Sequence, residues 1–368
     1  MEPFRIADRM SRIDASGIRK VFELASQIED PINLSIGLPD FDAPDRLKQA
    51  AIKAIENGMN RYTVTQGDDG LRVALKERLI ADKGVNPDGE ILITSGVSGG
   101  IFLAYLVLIN PGDEILLPDP YFVIYKHVTR LLGATPVYVD TYPDFRLREE
   151  DIRPLITEKT RFIVVNTPSN PTGVVYSKEE LEMVSKLAAE HDFLVLGDEI
   201  YDEFIYDEPP PSIASMHPDT LLLGGFSKTY AITGWRLGYA YGPPEIISEM
   251  AKLQQYTFVC APSFAQHAVL EVLDSLRNEQ MDAYREKRDL IYDGLKDHFE
   301  VERPGGAFYI FPRVPAGTDM EFVETALKEQ LLIIPGSVFS EKDTHFRISF
   351  AATNDNLSKG IEILKGLV

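Results

Sequence analysis

The chain has 368 residues, 44% of them hydrophobic and one, Cys260, a cysteine, so it can bury a large core in two subdomains and has no disulfide framework. Its formal charge is −20, from 57 acidic and 37 basic residues, which opposes binding to a phosphate backbone or an anionic membrane surface. No apolar run reaches the length of a membrane span and the opening "MEPFRIADRMSRIDASGIRK" lacks the apolar stretch of a secretory signal, so a cytoplasmic protein without nucleic-acid or membrane partners is expected.

Along the chain, short apolar runs rich in β-branched residues alternate with helical patterns. In order they are "EILITSG", "EILLPDP", "TPVYVD", "RFIVVNTPSN", "FLVLGDE", "TLLLGGFSK" and "RLGYAYG". This rhythm predicts an α/β fold, a mostly parallel sheet covered by helices on both faces. "KEELEMVSKLAAEHD" is the clearest crossover helix, with Leu181, Val184, Leu187 and Ala188 on one face. From residue 262 the pattern changes to long helical stretches, then "GGAFYIFP" and "HFRISFAAT". We therefore expect a large domain over 35–261 and a smaller α/β domain made of 1–34 and 262–368.

Ligands of such sheets bind beyond the carboxyl ends of the strands, so the residues after each apolar run are the ones to inspect. After "EILIT" comes a small-residue turn, Ser95 to Gly100, entering a helix, whose free N–H groups suit a phosphate. Further along come Tyr121 and Phe122, then "TPSNPTG" with Asn170, then Asp198, Glu199 and Tyr201, then Ser227 and Lys228. Each alone is also an ordinary turn, helix start or surface lysine. Together they place a lysine, an aspartate, an asparagine, an aromatic and a phosphate cradle at one crevice. No metal is expected there.

"GGFSKTYAITGWRLGY" at 224–239 resembles the lysine signature of the class I and II pyridoxal-phosphate aminotransferases, the fold type I family of aspartate aminotransferase. The resemblance extends over nearly the whole chain, through "SIGLPDF" at 35–41, "RYTVTQGDDGLR" at 61–72, "TSGVSGGIFLA" at 94–104, "NTPSNPTG", "DEIY" and "HFRISFA". It implies pyridoxal 5′-phosphate as cofactor, an amino acid and a 2-oxo acid as substrates, and transfer of the amino group between them.

By that resemblance Lys228 forms a Schiff base with the cofactor and then shuttles the proton between the substrate Cα and the cofactor. Asp198 pairs with the pyridine nitrogen, Tyr201 hydrogen-bonds the 3′ oxygen, and Asn170 serves that oxygen or the substrate carboxylate. Phe122 stacks on the ring, while Val97, Ser98, Ser227 and Arg236 hold the phosphate. Arg347 grips the substrate α-carboxylate with the Gly37 backbone facing the same group. A tyrosine at the position of Tyr62 reaches the phosphate of the partner subunit, which implies a homodimer.

No second cation for a distal carboxylate is assigned, since Arg12 and Arg19 read as surface groups. The same lysine, aspartate and arginine would serve a lyase of the β-elimination type. A non-catalytic cofactor-binding module, such as half of a transcription regulator, is disfavoured because only 34 residues precede "SIGLPDF" and no basic helix appears.

Overall fold

The computed structural model describes residues 6–14, 17, 31–275 and 280–368; Arg19 lies outside them. In chain order these residues form β1 (Ile32–Asn33), α1 (Asp45–Glu56), α2 (Asp69–Lys83), β2 (Glu90–Thr94), α3 (Gly96–Leu108), β3 (Glu114–Asp119), α4 (Val123–Leu131), β4 (Thr135–Asp140) and α5 (Glu149–Ile152). There follow β5 (Thr160–Asn166), α6 (Lys178–His191), β6 (Leu194–Asp198), β7 (Thr220–Gly225), β8 (Gly238–Gly242), α7 (Pro244–Gln254), α8 (Ser263–Val272) and α9 (Met281–Leu295). The chain ends with β9 (Tyr309–Ile310), α10 (Asp319–Lys328), β10 (Leu331–Leu332), β11 (Ile334–Pro335), β12 (Phe346–Ser349) and α11 (Asn354–Gly366).

The seven apolar runs become β2 to β8, one sheet in the order β2-β8-β7-β6-β5-β3-β4. From β7 to β4 every neighbouring pair is parallel. β8 is the exception and runs antiparallel to both β7 and β2. A parallel return needs a crossover unit, whereas residues 226–237 between β7 and β8 hold only a short 3₁₀ turn, so the chain reverses. The inner strands are buried along nearly their whole length, as continuous apolar runs require. β4, at the edge, is only partly covered.

α6 buries the four residues that its spacing predicts, Leu181, Val184, Leu187 and Ala188. Its start is fixed by a capping box in which Ser177 and Glu180 satisfy each other's backbone N–H groups. α8 packs against α1 and α2, placing Ala265, Ala268 and Val269 in one apolar cluster with Leu47, Ala50 and Leu71.

A second region carries an antiparallel sheet, β11-β12-β9, and a two-stranded parallel ladder in which β1 pairs with β10. No helix among the described residues is long and apolar enough to cross a membrane.

Two glycines set how closely the site's framework can approach. Gly96 begins α3 with φ of 70°, in the left-handed region that favours glycine. Gly238, the first residue of β8, lies so close to that turn that a Cβ on it would sit 2.7 Å from the Val97 nitrogen and 2.8 Å from the Gly96 carbonyl carbon. Those atoms are backbone and cannot rotate aside. Gly238→Ala is therefore expected to destabilise the protein by about 1–3 kcal/mol, the usual cost of overpacking. The denaturation midpoint measures this, and an unchanged midpoint would show that the start of α3 is free to shift.

Candidate active site

β5 and β6 are paired in a register that sets Asn166 beside Asp198 at their carboxyl ends. Successive strand residues face opposite ways, so Asp198 and Glu199 part company. The Asp198 carboxylate accepts a hydrogen bond from the Tyr125 hydroxyl at 2.6 Å on Oδ2 and from the Ile200 N–H at 3.2 Å on Oδ1. Glu199 turns to the Lys83 ammonium, 2.6 Å away, and accepts a second bond from the Ser212 hydroxyl. Lys228 follows β7 by three residues, and its Nζ donates to the Gly37 carbonyl at 2.7 Å. The Tyr201 hydroxyl meets that of Tyr309 at 2.9 Å.

Arg347 enters from β12. Its Nη1 donates to Asn170 Oδ1 at 3.0 Å and its Nη2 to the Ser35 carbonyl at 2.8 Å. Nε is buried and has no partner among the described residues. The guanidinium lies 4.6 Å from the centre of the Tyr309 ring and 4.5 Å from that of Phe339. Asn170 is itself held, its backbone N–H donating to Asn166 Oδ1 at 3.0 Å.

On the far side is the first turn of α3. Ser95 makes no side-chain capping bond, so the leading N–H groups of the helix are not taken by a cap. Arg236 leans over them, with Nη2 2.6 Å from where a Cβ on Gly96 would stand. This close approach is a second reason for glycine at that position.

These elements enclose a cavity of about 320 Å³. Its walls include Gly37, Val97, Ser98, Phe122, Asn170 and Asp198, together with Tyr201, Ser227, Lys228, Arg236 and Arg347, all expected at the site from the sequence. Tyr62 is not among them and stands 82% exposed on the outer surface. Arg12 is exposed beside Gly133 and does not line the cavity.

Sequence reasoning missed Tyr125, Asn166 and Tyr309. Tyr125 stands one helical turn beyond Phe122, and Asn166 closes an apolar run; both signals were available. Tyr309 lies inside "GGAFYIFP", which reads as an ordinary buried strand. A larger cavity, of about 510 Å³, opens beside Lys83, Glu199 and Asp202. The Lys83 ammonium there is already engaged at 2.6 Å by both carboxylates, so volume alone does not mark the reactive site.

The model of the family described as aminotransferase class I and II matches residues 29–364. The chain belongs to the class I and II aminotransferase family. It is 38% identical to a probable aspartate aminotransferase of Methanocaldococcus jannaschii, over 98% of this chain and 99% of that one. It is 36% identical to aromatic-amino-acid aminotransferase 2 of Thermococcus litoralis, over 97% and 96%. A solved structure of Thermus thermophilus aspartate aminotransferase, a double mutant, superposes with a TM-score of 0.94 at 34% identity and covers both chains fully.

In this aminotransferase's cavity, burial pushes a carboxyl and an amine toward neutrality. Burial raises the Asp198 carboxyl to about 6, against the pull of the Tyr125 hydroxyl, the Ile200 N–H and the more distant Lys228 charge. Burial also lowers the Lys228 amine to about 8, helped by the positive charges of Arg347 and Arg236 and opposed by Asp198. Lys228 is partly exposed where it lines the cavity, so its amine is both reachable and poised to lose its proton.

A carboxyl raised on folding stabilises the fold fully below its unfolded pKa, and that contribution is lost as pH rises through the folded value. The ligand-free protein should thus lose stability between about pH 4 and pH 6 relative to Asp198→Asn, by roughly 3 kcal/mol for a shift of about two units. Denaturation of both proteins across that range measures the difference, and a pH-independent gap between them would contradict the assignment.

Proposed function

We propose that this aminotransferase uses pyridoxal 5′-phosphate, anchored on Lys228, to move an amino group from an L-amino acid to a 2-oxo acid. The observation that carries the reading is the convergence on one cavity of a lysine lowered to about 8, a buried carboxylate and a buried arginine with an unpartnered Nε. The residues fit the cofactor. Asp198 is buried, and among the described residues its carboxylate has a hydroxyl and an N–H as donors, a setting that a protonated ring nitrogen would complete. The uncapped α3 turn, Ser227 and Arg236 form a cradle suited to a dianion, and Phe122 offers an aromatic face in the cavity wall.

When bound, the cofactor supplies an aldehyde for an amine and an electron-withdrawing ring that takes up the electron pair left at the substrate Cα. The chain supplies the rest. Lys228, once its amine is free, removes the Cα proton and returns it on the other side of the transfer. Arg347 binds the α-carboxylate through N–H groups left free by Asn170 and the Ser35 carbonyl, which hold the guanidinium in place. Tyr201 donates to the ring oxygen, and Asp198 keeps the ring nitrogen protonated. The relatives named above act, by name, on aspartate and on aromatic amino acids at nearly equal identity to this chain. A screen of donors, each mixed with the loaded enzyme without an acceptor, is therefore the direct way to the substrate.

We further propose a cytoplasmic homodimer in which Tyr62 reaches the partner's cofactor phosphate. In support, Tyr62, Val64, Tyr256 and Phe258 are exposed, and Phe258 lies 3.7 Å from where a Cβ on Gly99 in the first turns of α3 would stand. The large unit, 35–261, and the small unit, 1–34 with 262–368, are proposed to close over substrate, with α8 tying the second to α1 and α2.

Borohydride treatment of the loaded enzyme followed by peptide mapping is expected to label Lys228, and Lys228→Ala to retain the cofactor while losing at least 10²–10⁴-fold in turnover, roughly the worth of a general acid–base group. A label on another lysine overturns the anchor. Ammonia release without an acceptor overturns transfer in favour of elimination. Tyr62→Phe is expected to weaken cofactor binding about tenfold with the dimer intact in sedimentation, for the loss of one hydrogen bond to a charged group; unchanged affinity would remove Tyr62 from the phosphate site.

A further inference from the structure

We infer that Tyr309 is a positioning residue for the reaction, its hydroxyl setting Tyr201 as a hydrogen-bond donor and its ring holding Arg347. The inference rests on the proposed contact between Tyr201 and the cofactor's ring oxygen.

Tyr309 lies on β9 at 1% exposure and in the cavity wall. β9 and β12 are antiparallel with Tyr309 opposite Ser349, so Arg347, two residues away on the same face, is its diagonal neighbour. That register brings the guanidinium over the Tyr309 ring, with Phe339 on its other side. The Tyr201 ring meets the Tyr309 ring edge-on, at 88° and 5.7 Å between centres. Gly37 leaves room for the hydroxyl, since a Cβ there would stand 2.5 Å from it. Ring and hydroxyl are thus fixed from several sides.

The two hydroxyls, 2.9 Å apart, share one hydrogen bond whose direction is open while neither has another acceptor. If Tyr201 turns its hydrogen to a ligand oxygen, the hydrogen between the pair must come from Tyr309. A phenol that accepts one hydrogen bond donates the next more strongly. The positive charge of Arg347 over the Tyr309 ring favours Tyr309 in the donating role. Tyr309 would therefore act on the cofactor through Tyr201 and on the substrate through Arg347.

The two roles separate by substitution. In Tyr309→Phe the ring stays and the hydroxyl is lost. The pH midpoint of the bound cofactor's absorbance change should rise by roughly half a unit, as expected when one bond in a chain is weakened. KM for amino-acid donors should stay within about twofold. Tyr201→Phe should raise the midpoint further, and the double variant should match Tyr201→Phe alone, because the Tyr309 hydroxyl acts only through Tyr201. Tyr309→Leu should in addition raise KM about threefold to thirtyfold for amino acids but not for matched amines, from loss of the ring face under Arg347.

A midpoint unmoved in Tyr309→Phe while Tyr201→Phe moves it overturns the hydroxyl role. Additive shifts in the double variant do the same, since Tyr309 would then act independently. If Tyr201→Phe leaves the midpoint where it was, the Tyr201 reading fails and takes this inference with it. A lower melting temperature with an unchanged midpoint and unchanged KM in every variant would reduce Tyr309 to a structural role.

Discussion

A guanidinium at 2% exposure has lost nearly all of its hydration, and arginine has no neutral form to retreat to near neutral pH. Burial lowers the Arg347 pKa from its ordinary value, yet the group remains a cation that must be satisfied in place. The surrounding residues are arranged to do this. The Ser35 carbonyl comes from the segment after β1, Asn170 from the loop after β5, and the aromatic faces from β9 and from Phe339 before β12. One buried charge thus pins together parts of the chain that belong to different sheets. Asn170 and the Ser35 carbonyl engage two of the five N–H donors, and Nε has no partner among the described residues, so the cation is tied in place but not fully compensated.

Against this fixed cation, Asp198 and Lys228 are set in opposition. Water exclusion penalises both charged forms, so the carboxyl rises and the amine falls until their values stand near 6 and 8. At neutral pH the carboxylate is still mostly ionised, and a useful fraction of the amine is free. The same burial therefore leaves a mostly ionised carboxylate and a partly deprotonated amine in one cavity. Arg347 and Arg236 sharpen the contrast, since their charges lower Lys228 further.

The strands were legible because each is a near-continuous apolar run, and the rule that ligands sit past strand carboxyl ends then located Asn170, Asp198, Ser227 and Lys228 without any long-range information. Arg347 and Gly37 were legible only through resemblance, because nothing local distinguishes a buried arginine on a strand from a surface one. The reversal at β8 and the tyrosine pair were not legible. Whether residues 226–237 return antiparallel, and whether Tyr309 meets Tyr201, depends on how separate segments come together. Tyr62 marks another boundary, since its proposed role lies between two chains and leaves no trace in the packing of one.

Asp198 and Glu199 show how little sequence distance separates two fates. Strand alternation sends one carboxylate to the cavity that holds Lys228 and the other to Lys83, where Asp202 completes an ion triad. The Lys83 group is buried, and the two adjacent carboxylates outweigh its desolvation and raise its pKa well above the ordinary value, so it stays charged. Lys228 differs in having two arginines rather than two carboxylates nearby. Lysine burial is therefore not a sign of reactivity; the sign of the neighbouring charge decides it. By that criterion the smaller cavity is the one that holds an amine poised to lose its proton. The Lys83 triad instead braces the turn from Glu199 to Asp202, which follows Asp198 and carries Tyr201, the two residues whose placement the proposed chemistry requires.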